Sequence, residues 1–109
     1  MSDEKKLISL LGIAKKAGRV VSGTDMAVES VRSGKKNSVK LLLLAADASA
    51  NTVKRIENTG AYHKVPVIRL SVNKAELARL TGSGAELSAV GVTDTGFVEA
   101  MLKASDVAP

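Results

Sequence analysis

The chain is 109 residues long, the size of one domain, and with no cysteine and a single histidine it offers no disulfide, no thiolate zinc site and no cysteine nucleophile. Aromatic residues make up only 2% of it, so the rows of stacking platforms used by single-strand binders are missing too. The net charge of +5 is unevenly placed: residues 1–40 carry nine Lys and Arg against four Asp and Glu, whereas the remainder carries seven of each.

Leu7, Leu10, Leu11 and Ala14 fall on one helical face with Lys5, Lys6, Lys15 and Lys16 elsewhere, which predicts a first helix over about 3–17, stopped by Gly18. Arg19 to Ser22 reads as a short extended piece. Ser22 stands three residues before Asp25, the spacing of a capping box, and a second helix with Met26, Ala27 and Val31 on its apolar side should run to Gly34. The run from Val39 to Ala46, broken only by Lys40, suits a central strand covered on both faces. Ser49 is placed to cap a third helix that turns Val53 and Ile56 inward. Residues 65–70 read as a strand with Pro66 near its start, where a missing N–H is tolerated. Asn73 and Glu76 repeat the capping-box spacing and open a fourth helix through Leu80. Leu87 to Val92 is the last strand, and a closing helix forms around Val98, Met101 and Leu102. The small, polar stretch 104–109 is expected to fray.

Helices alternating with short strands predict an α/β fold, a three-layer α/β/α sandwich around a small mixed sheet of about four strands, as one domain over 1–109. No apolar run approaches the roughly 18 residues that a membrane helix requires, and no apolar leader opens the sequence. A cytoplasmic protein that engages no membrane is the expectation. The constellations of an enzyme are missing. Gly82-Ser83-Gly84 lies between a helix and a strand, the reverse of the order in phosphate-cradling loops. Asp47 and Asp94 follow strands and are expected to cap the next helices rather than meet as a catalytic pair. His63 is expected on an exposed loop. No catalytic residue, metal or cofactor is therefore assigned. A basic half joined to a neutral half points to a polyanion-binding face, the alternative being a merely solvated surface.

Three stretches now carry a resemblance: Leu10-Leu11-Gly12-Ile13-Ala14-Lys15-Lys16-Ala17-Gly18-Arg19, then Ser22-Gly23-Thr24, then Ser33-Gly34-Lys35. Further pieces are Leu44 to Ser49, Asn51-Thr52, Val65-Pro66-Val67 and Val92 to Phe97, so that about residues 7–102 are covered. In order and spacing they resemble the YlxQ family of small bacterial proteins, similar in turn to the kink-turn-binding ribosomal proteins of archaea and eukaryotes. The resemblance implies the same sandwich fold and binding of an RNA stem bent by tandem sheared G·A pairs. It implies a monomer associated with the ribosome or translation, although a protein-interaction module with weak, non-specific RNA affinity is the alternative.

In such families the RNA meets the start of the second helix. Here that means Gly23, which lets a backbone approach, Thr24 with its hydroxyl, and Asp25, whose carboxylate suits guanine amino groups or else serves Ser22 as a cap partner. Lys15, Lys16 and Arg19 are expected to neutralise phosphates flanking the bend, with Lys35 and Lys36 acting from the far end of the helix. Ala85 and Leu87, in the loop before the last strand, would pack on an extruded nucleotide. Two positions depart from the family pattern of Asn-Glu, two residues, then Lys: Met26 follows Asp25, and Glu29 stands where a lysine is usual.

Overall fold

A computed structural model describes residues 3–105. In chain order the elements are α1 (Glu4–Lys16), β1 (Val20–Ser22), α2 (Thr24–Ser33), β2 (Leu41–Leu44), α3 (Ala50–His63), β3 (Val67–Arg69), α4 (Lys74–Thr81), β4 (Ala89–Val92) and α5 (Thr95–Ser105). The sheet is mixed, in the order β1-β4-β2-β3, with β4 antiparallel to both neighbours and β2 parallel to β3.

The apolar run that predicts a central strand explains the layering. Leu41 and Leu43 point into one cluster with Leu7, Leu11, Leu77, Val98 and Met101, which places α1, α4 and α5 on that face of the sheet. Leu42 and Leu44 point into another with Val28, Val31 and Ile56, which places α2 and α3 on the other. All four leucines are fully buried, and each contributes about 1.5–3 kcal/mol by leaving water. The fold is thus the expected α/β/α sandwich.

Local signals hold at most helix ends. Ser49 Oγ accepts from the Thr52 N–H at 3.2 Å and Asn73 Oδ1 from the Glu76 N–H at 2.8 Å, so both predicted caps form. Gly34 and Gly82 end α2 and α4 at φ 63° and 71°, the left-handed conformation that glycine adopts without strain. Pairing runs slightly beyond the strand bounds: Leu42 N–H donates to the Pro66 carbonyl at 3.0 Å and Leu70 N–H to the Leu44 carbonyl at 2.8 Å.

Four expectations are corrected. Ser22 does not cap α2; the cap is Gly23, at φ 100° and ψ 145°, and no side chain hydrogen-bonds to this helix start. Asp94 does cap the helix that follows it, Oδ1 accepting from the Phe97 N–H at 3.0 Å, but Asp47 reaches past α3 to the Lys74 N–H of α4 at 2.7 Å, because Ser49 already serves α3. His63 is the last residue of α3 rather than part of a loop. Ala104 and Ser105, expected to fray, close α5; Ala104 is 6% exposed and its carbonyl accepts from the Asp3 N–H, while the rest of the predicted tail, 106–109, lies outside the described residues.

Candidate nucleic-acid interface

The β1 strand and its pairing with β4 decide which predicted site residues meet. Val20 lies opposite Val92 and Ser22 opposite Val90. Arg19, before β1, therefore sits at the Thr93 end of β4, where its carbonyl accepts from the Thr93 N–H at 2.9 Å. Gly23, after β1, sits at the other end, its N–H donating to the Ala89 carbonyl at 3.1 Å. The three extended residues of β1 lie between Arg19 and Gly23, and the four steps along the strand set them about 13 Å apart. The expected single surface is thus divided between the two ends of the sheet.

At the Gly23 end, Gly23, Thr24 and Asp25 begin α2, and the first helical bond runs from the Ala27 N–H to the Gly23 carbonyl at 3.0 Å. That leaves the N–H groups of Thr24, Asp25 and Met26 directed out of the helix without a side-chain cap, the arrangement that attracts an anion. A β-carbon at Gly23 would have no heavy atom within 4 Å, so the space above this turn is open. The α4–β4 loop with Ala85 and Leu87 borders the same end, since it leads directly into Ala89. Ala85 is exposed and Leu87 half-buried against the core. A turn in which Ser83 Oγ donates to the Ala85 carbonyl at 2.7 Å and accepts from its N–H at 3.2 Å shapes that loop.

Asp25 is not the partner of Ser22. Its carboxylate pairs with Arg55 from α3, both groups being solvent-accessible. Sequence reading missed Arg55, and no local pattern marks it, because thirty residues separate it from Asp25. Ser22 Oγ is buried without a hydrogen-bond partner among the described residues. Met26, expected on the apolar side of α2, is instead 59% exposed, Val28 taking its place in the core, and Glu29 is exposed one turn later, so the two departures from the family pattern both reach solvent beside this helix start.

At the Arg19 end, Lys15 and Lys16 close α1, and Lys35 and Lys36 follow the end of α2. The Lys40 N–H donates to the Val92 carbonyl at 2.8 Å, which places the 35–40 turn beside Thr93 and Arg19. His63 lies at this end of α3, exposed, with the Tyr62 ring edge-on at 4.9 Å, and the shallow groove it lines with Arg32, Arg55 and Asn58 holds no carboxylate.

A family model described as the ribosomal protein L7Ae/L30e/S12e/Gadd45 family matches residues 5–102. The chain belongs to this family. It is 38% identical over 97 residues to the RNA-binding protein YlxQ of Bacillus subtilis (strain 168), covering 89% of this chain and 92% of that relative, so the resemblance to YlxQ proteins holds. It is 28% identical over 83 residues to the large ribosomal subunit protein eL30 of Methanosarcina mazei, covering 76% of this chain and 74% of that one. A solved structure of a Bacillus halodurans protein of unknown function superimposes with a TM-score of 0.82 at 31% identity, over 93% of this chain and 97% of the other. In this L7Ae/L30e-type chain no helix among the described residues is long and apolar enough to cross a membrane, and no group of three His, Asp or Glu is placed to hold a metal ion.

Proposed function

We propose that this protein is a non-enzymatic, cytoplasmic RNA-binding module, active as a monomer, that holds a kink-turn-like bent stem and works in association with the ribosome or translation. The observation that carries the reading is the uncapped start of α2 under open space at Gly23, bordered by the loop that carries Ala85 and Leu87. Three outward N–H groups take a phosphate or the acceptor edge of a base, and the bare glycine admits the nucleic-acid backbone. The Thr24 hydroxyl and the Asp25 carboxylate supply an acceptor for guanine amino groups once Arg55 releases Asp25. Membership in a ribosomal-protein family, and relatives named as an RNA-binding protein and as a ribosomal-subunit protein, favour RNA over another anion.

Thr24→Glu tests the reading with little risk to folding. A carboxylate in the first turn stabilises a helix by about 0.3–1 kcal/mol, yet it sets a negative charge against the RNA. Binding to a kink-turn RNA is expected to fall by about tenfold, or 1.4 kcal/mol, with no loss in unfolding temperature. Wild-type affinity in this variant would remove the α2 start from the interface. A wild-type protein that binds kinked and unbent stems equally would favour the protein-interaction alternative.

A further inference from the structure

The sheet end opposite the α2 start carries charge for which the proposed interface has no use. Three stretches of chain arrive there: the close of α1 at Lys15 and Lys16, the entry to β1 at Arg19, and the turn after α2 at Lys35 and Lys36. All five residues are exposed. Among the described residues the only ion pair formed by any of them is the 3.9 Å approach of Arg19 Nε to Asp94 Oδ2, and no carboxylate pairs with the four lysines.

Helix electrostatics account for part of this. Lys15 and Lys16 lie in the last turn of α1, where cations complement the carbonyl end of the helix dipole. Arg19, Lys35 and Lys36 lie beyond the helix ends and have no such role. Their backbone is nevertheless held firmly. The Ser38 N–H donates to the Lys35 carbonyl at 3.0 Å, the Lys35 N–H to Ser33 Oγ at 3.3 Å, and the Val39 N–H to Ser30 Oγ at 3.0 Å. The Lys40 ammonium donates to the Lys36 carbonyl at 2.7 Å and the Ser38 carbonyl at 3.1 Å, so one lysine closes the turn that displays two others. Arg19 is fixed on both sides, its N–H donating to the Ala14 carbonyl at 2.9 Å and its carbonyl accepting from Thr93. Cations carried on backbone that is ordered before the ligand arrives lose less entropy on binding.

We propose that this end is a second polyanion-binding surface, which takes the phosphate backbone of an RNA helix without reading its sequence, so that one molecule can hold two RNA segments at opposite ends of its sheet. The chain segments that carry the cations arrive side by side at this sheet end. The entries to β1 and β2 flank β4 and so lie about 10 Å apart. A row of that width suits successive phosphates, whose neutralisation releases condensed counterions. The choice of RNA among polyanions rests on the function proposed above; the charged surface itself does not.

The triple variant K15Q/K35Q/K36Q tests it, since none of these side chains enters the core. The probe is a short, unbent RNA duplex titrated across salt concentrations, with unfolding temperatures measured in parallel. Loss of three phosphate contacts is expected to lower the log-affinity versus log-salt slope by about three, while Thr24→Glu binds the duplex as wild type does. The proposal is overturned if the triple variant keeps the wild-type affinity and slope, or if Thr24→Glu loses duplex binding equally, which would mean one surface. It is also overturned if wild type binds vesicles of anionic phospholipid and not the duplex. Failure of the function proposed above has a separate signature, wild-type binding of the kink-turn RNA by Thr24→Glu, and leaves the duplex result standing.

Discussion

The two ends of the sheet differ in the groups they offer to an anion. At the α2 start the attraction comes from backbone: three outward N–H groups and a glycine, with Asp25 and Glu29 as nearby carboxylates and Arg55 engaged by Asp25. At the α1 and α2 ends it comes from side chains: Lys15, Lys16, Arg19, Lys35 and Lys36 opposed by Asp94 alone among their ion-pair partners. Backbone donors have fixed directions and suit a ligand of defined shape. Mobile ammonium groups suit any dense row of phosphates and weaken steeply with salt. Under the two proposals, shape selection and charge attraction are divided between opposite ends of one sheet.

Paired glycine variants break this comparison most severely. Gly23 and Gly18 both have positive φ, 100° and 73°, and both face open space, so a side chain at either is strained without clashing. Gly23→Val is expected to cost about 1–3 kcal/mol of stability and, after correction for folded fraction, about tenfold or more in affinity for a kink-turn RNA. Gly18→Val is expected to lose stability alone. Thermal unfolding and RNA titration on the same preparations give both values, and equal corrected affinities would count against the shape-selecting end.

Gly60→Ala is the control that should leave both ends intact. A β-carbon there would meet the Val65 carbonyl oxygen at 2.7 Å and Val67 Cγ2 at 2.6 Å, where α3 packs on the approach to β3. Overpacking of this kind costs about 1–3 kcal/mol. Denaturant melts should show that loss, with kink-turn and duplex affinities per folded molecule unchanged.

Glu29→Lys sharpens the comparison in the other direction, by giving the backbone-driven end a side-chain cation. Kink-turn affinity should rise by about two- to fivefold, and the salt slope should steepen by about one. An unchanged slope in salt titrations would show that this exposed turn of α2 does not face the RNA. The smallest effect is expected from Arg55→Gln. The Asp25–Arg55 pair is solvent-accessible, so its loss should change stability by at most about 1 kcal/mol. With one cation fewer and Asp25 left unpaired beside the α2 start, the salt slope of kink-turn affinity should flatten slightly, by at most about one, which the same titrations report.

Much of the fold is legible in the sequence because its elements announce themselves locally. Four successive leucines can only be covered from both sides, and Ser49 and Asn73 stand where a helix needs an acceptor. Ser22 misled because its spacing to Asp25 matches a capping box, whereas the preceding strand turns its side chain away from the helix start and Gly23 takes the cap through a backbone conformation that spacing cannot reveal. Asp47 capping α4 and Arg55 reaching Asp25 span twenty-seven and thirty residues, distances over which pattern carries no information. The division of the basic residues was available. A strand between Arg19 and Gly23 must carry them to opposite ends of a sheet, and closeness in sequence does not make closeness in space.

The bond from the Asp3 N–H to the Ala104 carbonyl has a consequence for the order of events during synthesis. The apolar stripe of α1, Leu7, Leu11 and Ala14, packs in one cluster with Val98, Met101 and Ala104 of α5. At translation rates of about 5–20 residues per second, those partners emerge several seconds to tens of seconds after the stripe itself. Strand β1 waits almost as long, because its partner in the sheet is β4. Until β4 and α5 have emerged, the apolar stripe of α1 and the pairing edge of β1 are therefore without the partners that cover them in the folded chain.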